Sequence, residues 1–183
     1  DSQWYIADWD DKPTFNDECE INTRELFLSV LKGELRKQRH KTVIVAIHHP
    51  VFTNGLYGGR IADYNLYRPS IENAYLPIVG APWSFLRSQG GISRQDRFNP
   101  LMNELMEEIK TMTTDHERVI FVSAHENNLQ YIDDDNRKQI VSGSLHRSAG
   151  AALGKKGKFA TGKAGFSRLR VYRDQASTVT FYE

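Results

Sequence analysis

The chain has 183 residues, 39% of them apolar and 26% charged, which fits one globular domain or a large part of one. A formal net charge of +1 gives no broad positive field that would attract nucleic acid or an acidic membrane surface. No apolar run approaches the roughly 18 residues of a membrane-spanning helix. No signal-peptide pattern stands at the first residues, although a signal could have been lost if the chain is a fragment. The single Cys19 excludes an internal disulfide and leaves the cellular compartment open.

The first predicted elements are a helix and a buried strand. The helix is expected from Asn22 to about Gln38, because Asn22 can cap it and Glu25 stands three positions later, as in a capping box. Apolar residues recur at helical spacing along this stretch. Residues 42–47 then form a continuous run rich in β-branched side chains, which is typical of a strand buried on both faces. The strand leads into His48.

The segment from Val51 to about Phe98 is rich in glycine, proline, tyrosine and asparagine, and it has no strong periodicity. A short helix is predicted near Trp83 to Arg87. A segment this long without regular structure is usually functional or poorly ordered. Because it follows His48 and His49, we expect it to face a substrate. The alternative is a surface cover packed by its own aromatic side chains.

The next predicted elements are a second helix and a second buried strand. Asn99 and Pro100 provide a cap and a first-turn proline, and apolar residues from Leu101 to Met112 mark one buried face. The methionines on that face are interpreted as core. Residues 118–123 form the strand, which leads into His125.

The rest of the chain predicts two antiparallel hairpins. The first joins residues 129–133 to 138–142, and the second joins 166–172 to 177–182. The basic stretch from Gly154 to Gly165 matches no phosphate-binding cradle and is predicted to be a flexible surface loop. The predicted fold class is therefore α/β, with mixed buried strands followed by antiparallel hairpins.

Both predicted buried strands break off at histidines. Val45-Ala46-Ile47 is followed by His48 and His49, and Val122-Ser123-Ala124 is followed by His125. Neutral histidine is the commonest protein ligand for metals such as zinc and iron. A lone histidine at a strand end is more often a structural residue, but two such ends make a candidate metal site.

These residues resemble the last two motifs of the calcineurin-like metallophosphoesterases, the family that includes the purple acid phosphatases. Those motifs read roughly Val-x-x-His and Gly-His-x-His, the latter often continued as Asn-Leu-Gln. Residues 45–48 match the first motif, and residues 124–130 match the second with Ala124 for the glycine and Asn127 for the final histidine. The resemblance implies a centre of two divalent ions of iron, zinc or manganese. His48 and His125 would bind one ion, and Asn127 stands where a ligand to the other is expected.

The resemblance covers nearly all of this chain but only about the second half of a phosphoesterase domain. The family's earlier motifs, Asp-x-His, Gly-Asp and Gly-Asn-His, are not found in the sequence. The resemblance implies that residues 1–183, without an internal boundary, are the C-terminal half of an α/β/β/α sandwich. A fragment, a proteolysis product or a piece cut from a longer protein would explain this. The expected partner is the missing N-terminal half of the same domain.

Two functions stay open. The resemblance implies hydrolysis of phosphate esters, with a phosphorylated substrate and a two-metal centre that activates water. His49 is then a candidate catalytic residue that contacts a phosphate oxygen or protonates the leaving group, with a packing role as its alternative. The other function is that of a catalytically degenerate fold serving as a binding or scaffold module, which the substitution at Asn127 favours. In either case the fragment alone is expected to have little activity.

The phrases at residues 1–4, 48–55 and 88–91 resemble a bacterial branch of the family that is exported. Some members of that branch carry a C-terminal outer-membrane β-barrel. The resemblance therefore implies a location outside the cytoplasm, in the periplasm or at the outer membrane, with membrane contact only through such a barrel.

His146 is a further histidine to consider. It follows a segment that often lies close to the family's active site, so it could approach the substrate, and the alternative is an exposed loop histidine.

Overall fold

The computed structural model describes residues 1–60, 80–90, 92–143, 149–154 and 156–183. The N-terminal elements are a π-helix at Trp4–Asp8, the single turn α1 (Trp9–Asp11), a 3-10 turn at Pro13–Asn16 and the helix α2 (Arg24–Lys37). After these come β1 (Thr42–Ala46), a 3-10 turn at Leu56–Gly58, α3 (Gly80–Ser88), α4 (Pro100–Met112) and β2 (Arg118–Ser123). The last elements are β3 (Leu129–Asp134), β4 (Arg137–Val141), β5 (Gly157–Thr161), β6 (Phe166–Val171) and β7 (Ser177–Tyr182).

Five of the strands form one mixed sheet in the order β1-β2-β4-β3-β5. β1, β2 and β4 run parallel to one another, whereas β3 is antiparallel to both β4 and β5. β6 and β7 form a separate two-stranded antiparallel sheet. The architecture is mixed α/β, so the predicted fold class and its antiparallel hairpins are confirmed.

The five-stranded sheet has a different cover on each face. On one face, side chains of β2 pack against α4 and the N-terminal helical segment, with Phe27 and Leu31 of α2 at the margin. That core consists of Tyr5, Ile6, Ala7, Val51, Met102, Leu105, Met106, Ile109, Val119 and Phe121. On the other face, Ile120 and Ile140 meet Leu169 and Val179 of the β6–β7 hairpin around a small gap of about 20 Å³. The layers are therefore helices, sheet and hairpin.

The prediction that the first strand is buried on both faces is wrong. Ile44 in β1 is 50% exposed. Ile44 pairs with Ile120 of β2 and therefore shares the face that the β6–β7 hairpin covers. Because β1 is an edge strand, its side chains extend beyond that cover.

The predicted flexible loop in the basic stretch is wrong for residues 157–161, which form β5. This strand pairs with β3, with Leu129 opposite Thr161 and Tyr131 opposite Phe159. The Phe159 ring also stacks on Phe181 with centroids 4.5 Å apart. Because both contacts join residues that are more than twenty positions apart, the local sequence pattern gave no signal for the strand.

The predicted helices are present, but two capping predictions differ: Asn99 precedes α4 without making a side-chain capping hydrogen bond, and α2 is capped by a different residue. α4 follows Asn99 and begins at Pro100 as expected, and α3 includes the short helix predicted near Trp83. At α2 the N-cap is Thr23 instead of Asn22, because the Thr23 hydroxyl accepts a hydrogen bond from the Leu26 amide at 3.1 Å. None of the helices in the described ranges is both long and apolar enough to cross a membrane.

Candidate metal centre

The first two strands bring His48 and His125 to the same edge of the sheet. β1 and β2 are parallel neighbours, so their carboxyl ends lie side by side. Backbone pairing continues past both strands, because Ile47 N donates to Val122 O at 3.0 Å and Ala124 N donates to His48 O at 3.2 Å. The backbone therefore holds the two histidines level with each other.

Three imidazole rings meet at this edge. The Nε2 atom of His48 lies 3.2 Å from the Nδ1 atom of His125. The ring centroid of His49 lies 4.2 Å from that of His125 and 4.8 Å from that of His48. One ring nitrogen from each of the three histidines lies within 4.8 Å of the others. The structure thus brings together His48, His49 and His125, which we call the histidine cluster.

His49 is the buried member of the cluster, with 1% of its surface exposed. Its Nδ1 atom lies 2.8 Å from the Ser2 hydroxyl, which also accepts a hydrogen bond from the His49 backbone amide at 3.2 Å. Burial, with a smaller effect of the charge on His48, lowers the pKa of His49 to about 3. The ring is therefore neutral at neutral pH.

His125 is held in an uncommon backbone conformation. Its φ of 63° lies in the left-handed region, where a residue other than glycine is infrequent and often marks a functional turn. Burial lowers the pKa of His125 to about 2, with further contributions from the charges on His49, His48 and Arg87. Desolvation lowers the pKa of His48 as well. All three imidazoles are consequently neutral at pH 7, the form in which histidine binds a metal.

Two buried nitrogens of the cluster have no hydrogen-bond partner among the described residues. They are the Nε2 atoms of His49 and His125, both buried and both unpaired within the described ranges. A buried polar atom without a partner costs free energy, and a bound ion is one of its ordinary explanations. Three neutral imidazoles, with the unpaired His49 Nε2 atom among their nitrogens, fit a divalent cation of the zinc type.

Asn127 lies in the same turn, two residues beyond His125. Its φ of 53° is also left-handed, a conformation that asparagine tolerates better than most residues. Its side-chain Nδ2 atom donates to His125 O at 3.2 Å, and its backbone carbonyl accepts from Ala149 N at 2.8 Å. Oδ1 is the side-chain atom with which it could bind a cation. That Asn127 binds metal stays a prediction.

A buried carboxyl group, that of Glu126, joins the turn after β2 to the loop that follows His49. Glu126 is 1% exposed and accepts hydrogen bonds from the Thr53 hydroxyl at 2.6 Å and from Tyr57 N at 3.3 Å. Burial raises the pKa of Glu126 to about 7 against the opposing effect of these hydrogen bonds. The Tyr57 ring in turn packs on His125 at 4.1 Å between centroids. Neither Glu126 nor Ser2 was predicted from the sequence as a site residue; for Glu126, its position directly after a strand-end histidine was the available signal.

Two glutamines of the sheet hold the loop that follows His49. Gln139 accepts hydrogen bonds from Val51 N at 3.0 Å and Phe52 N at 3.2 Å, and Gln130 accepts one from Asn54 N at 2.8 Å. Both side chains are fully buried. The loop amides are therefore paired by the sheet, which fixes the start of the segment that was predicted to face a substrate.

Beside His48 opens a cleft of about 430 Å³. Its lining is mainly apolar and includes Phe27, Leu31, Val45 and Ile109. Ser2 lies at its edge and connects the cleft to His49. His146 and residues 61–79 of the predicted substrate-facing segment lie outside the described residues.

A scan of protein-family models found no match to this chain, and a search of curated proteins found none either. Among solved structures, the chain is similar to one described as GAP50, the anchor in the inner membrane complex of Plasmodium, with a TM-score of 0.50 and 16% identity. The match covers 92% of this chain and 42% of that one, so the chain spans less than half of its length. At this level of identity the likeness concerns the fold alone.

Proposed function

We propose that this chain supplies histidine ligands to a metal centre that hydrolyses phosphate esters. The observation that carries the proposal is the convergence of His48 and His125, whose facing nitrogens lie 3.2 Å apart at the carboxyl edge of the sheet. The residues around each histidine, which resemble the last two metallophosphoesterase motifs, support phosphate esters as the substrate class. When bound, a divalent ion there would supply Lewis acidity toward a phosphoryl group.

The residues of the chain have separate roles in this proposal. His48 and His125 hold the ion, and the second ion of a two-metal centre would take Asn127 Oδ1 as a ligand. In a two-metal centre, His49 would contact a bound phosphate as a neutral N–H donor and not as an acid, because burial keeps its pKa near 3. In the single-ion site inferred below, the same ring is a ligand instead. Ser2 orients its ring.

The cleft beside His48 favours esters whose alcohol part is apolar. Phe27, Leu31 and Ile109 in its lining offer no hydrogen bonds to a sugar, but they can pack against an aromatic or aliphatic group. Aryl phosphates such as p-nitrophenyl phosphate are therefore suitable probes.

The test is turnover of p-nitrophenyl phosphate and bis-p-nitrophenyl phosphate by the native protein that contains this sequence, with added manganese, zinc or iron. The proposal predicts metal-dependent hydrolysis that His125→Ala abolishes. The control is His40→Ala, because His40 is exposed and pairs with Glu117 at 3.1 Å, away from the cluster. Equal activity of His125→Ala and the unchanged protein would contradict the proposal.

A binding or scaffold module is the second candidate function, and the conformation of Asn127 favours it. The side chain at this position is engaged with its own turn through Nδ2 and His125 O. A neutral amide is also a weaker ligand for zinc or iron than an imidazole. Little bound metal and no turnover in the native protein would favour this candidate over the enzyme.

A further inference from the structure

We infer that this chain binds one divalent cation of the zinc type through three imidazoles, those of His48, His49 and His125. His49 is then a metal ligand that neither strand-end motif assigns. The catalytic meaning of this site rests on the proposed function, but its existence can be tested by metal binding alone. The site would be a single-ion centre, different from the two-metal centre that the resemblance implies.

The spacing of the first two rings fits one ion. Zinc lies about 2.0–2.1 Å from histidine nitrogens in tetrahedral sites, so two such nitrogens are about 3.3 Å apart. The observed distance between His48 Nε2 and His125 Nδ1 is 3.2 Å. The third nitrogen, from His49, lies within 4.8 Å of the others, so the ring must move toward them when the ion binds.

The surroundings of His49 direct one nitrogen to a ligand. Its Nδ1 atom contacts the Ser2 hydroxyl at 2.8 Å, which leaves Nε2 as the atom to bind an ion. That Nε2 atom is buried and has no hydrogen-bond partner among the described residues. Metal-binding histidines usually donate their second N–H to an oxygen, and a hydroxyl can accept both this bond and the one from the His49 amide.

The donor set selects the class of ion. Within the described part of the chain, the cluster contains three imidazoles and neither a carboxylate nor a thiolate. Imidazole suits zinc, cobalt, nickel and copper, whereas magnesium, calcium and manganese prefer oxygen ligands. Three protein ligands are typical of catalytic zinc sites, which keep a further position for water or substrate.

The experiment is titration of the metal-free chain with Zn²⁺ by calorimetry and with Co²⁺ by visible absorption, which reports the coordination number. We expect one equivalent of either ion. In His49→Asn the amide can keep the contact with Ser2, but the atom at Nε2 is lost, so we expect affinity to fall at least about 100-fold. The control His40→Ala removes an exposed histidine and should bind as the unchanged chain does.

Circular dichroism and thermal unfolding check that His49→Asn folds. If it does not, Ser2→Ala replaces it, because it leaves all three rings in place and removes the hydroxyl that orients His49. We then expect affinity to fall about 10–100-fold.

The other outcomes overturn the inference or separate it from the proposed function. Absence of binding, or unchanged affinity in a folded His49→Asn variant, would overturn it. Binding of two ions would also overturn it if their affinity fell on substitution of Asn127 and not on substitution of His49. One tightly bound ion, without phosphatase turnover by the native protein that contains this sequence, would leave the site standing and count against the proposed function. Turnover retained in the native protein with His49→Asn would count against His49 as a ligand and leave the proposed function standing.

Discussion

His48 and His125 are 77 positions apart in the chain, yet their ring nitrogens lie within 3.2 Å of each other. The reason is the register of the two parallel strands, in which Ala46 of β1 is level with Val122 of β2. One residue separates Ala46 from His48 and two separate Val122 from His125, so both rings lie at nearly the same level beyond the strand ends. The pairing of β1 with β2 therefore brings the two histidines together, and the residues of the following turns determine which further ligands are available.

Asn127→His is expected to increase metal content and turnover of the native protein. The substitution offers an imidazole where the motif resemblance expects one, and histidine is among the residues that tolerate the left-handed φ of 53° at this position. We expect metal content to rise from one ion toward two per chain, and turnover to rise about tenfold or more. Metal analysis and p-nitrophenyl phosphate assays measure both. Asn127→Ala is the comparison variant, and an equal response of the two would contradict this role for the position.

Gly143→Ala and Gly33→Ala are expected to change stability in opposite directions. A Cβ atom at Gly143 would lie 2.3 Å from Asn128 O and 2.7 Å from two further backbone atoms, so the turn behind the histidine cluster must move. We expect a loss of about 1–3 kcal/mol in the free energy of unfolding. Gly33 lies in α2 with nothing within 4 Å of the added atom, so alanine should add about 0.5–1 kcal/mol. Denaturant unfolding measures both changes. If both substitutions raised, or both lowered, the free energy of unfolding, the packing described here would be contradicted.

Gln139→Leu is expected to lower stability and to loosen the loop after His49. Leucine leaves Val51 N and Phe52 N without the acceptor that Gln139 provides, and each unpaired buried donor costs about 1–3 kcal/mol. Urea unfolding should show a loss of about 2–4 kcal/mol, and the two amides should exchange faster with deuterium. Gln89→Leu, at an exposed position, should stay within about 0.5 kcal/mol of the unchanged chain. Unchanged exchange at these amides would refute the assigned contact.

Asp134 is expected to make stability fall in acid. Burial alone would raise its pKa, but the hydrogen bond from Lys156 and the charges of Arg137 and Lys156 outweigh this effect, so the pKa is lowered. Its contribution is then complete above the unfolded value of about 3.9 and is lost as the pH falls through the lower folded value.

The comparison of Asp134→Asn with Asp135→Asn isolates this contribution. The side chain of Asp134 is 5% exposed and that of Asp135 is 90% exposed, although both lie near Lys156. We expect Asp134→Asn to lose about 1–2 kcal/mol at pH 7 and to unfold with a shallower dependence on pH below 4. Asp135→Asn should keep the dependence of the unchanged chain. Equal slopes for Asp134→Asn and the unchanged chain would show that the ion pairs do not stabilise the fold.

The sequence predicted those elements whose signal is local. α4 has its first-turn proline and apolar stripe within its own residues, and β2 occupies the predicted residues 118–123. β5 was missed because its partner strand β3 and the contact of Phe159 with Phe181 lie elsewhere in the chain. The half-exposed Ile44 was missed because a run of apolar residues does not reveal that its strand is at a sheet edge.

Only part of the candidate site was predictable, because only part of it has a local sequence signal. His48 and His125 stand at strand ends, and parallel strands bring such ends together. His49 was expected at a substrate, but its contacts with Ser2 and His125 depend on the N-terminal segment folding back against β1, which no local pattern encodes. The engagement of Asn127 with its own turn likewise depends on the left-handed conformation of His125 and Asn127.

The central claim is that a metal ion binds between the ends of β1 and β2. The most direct measurement is anomalous X-ray diffraction at the zinc absorption edge from crystals grown with zinc. The account predicts an anomalous peak about 2.0–2.2 Å from ring nitrogens of His48, His49 and His125. Full occupancy elsewhere on the chain with no peak at these three rings would contradict it.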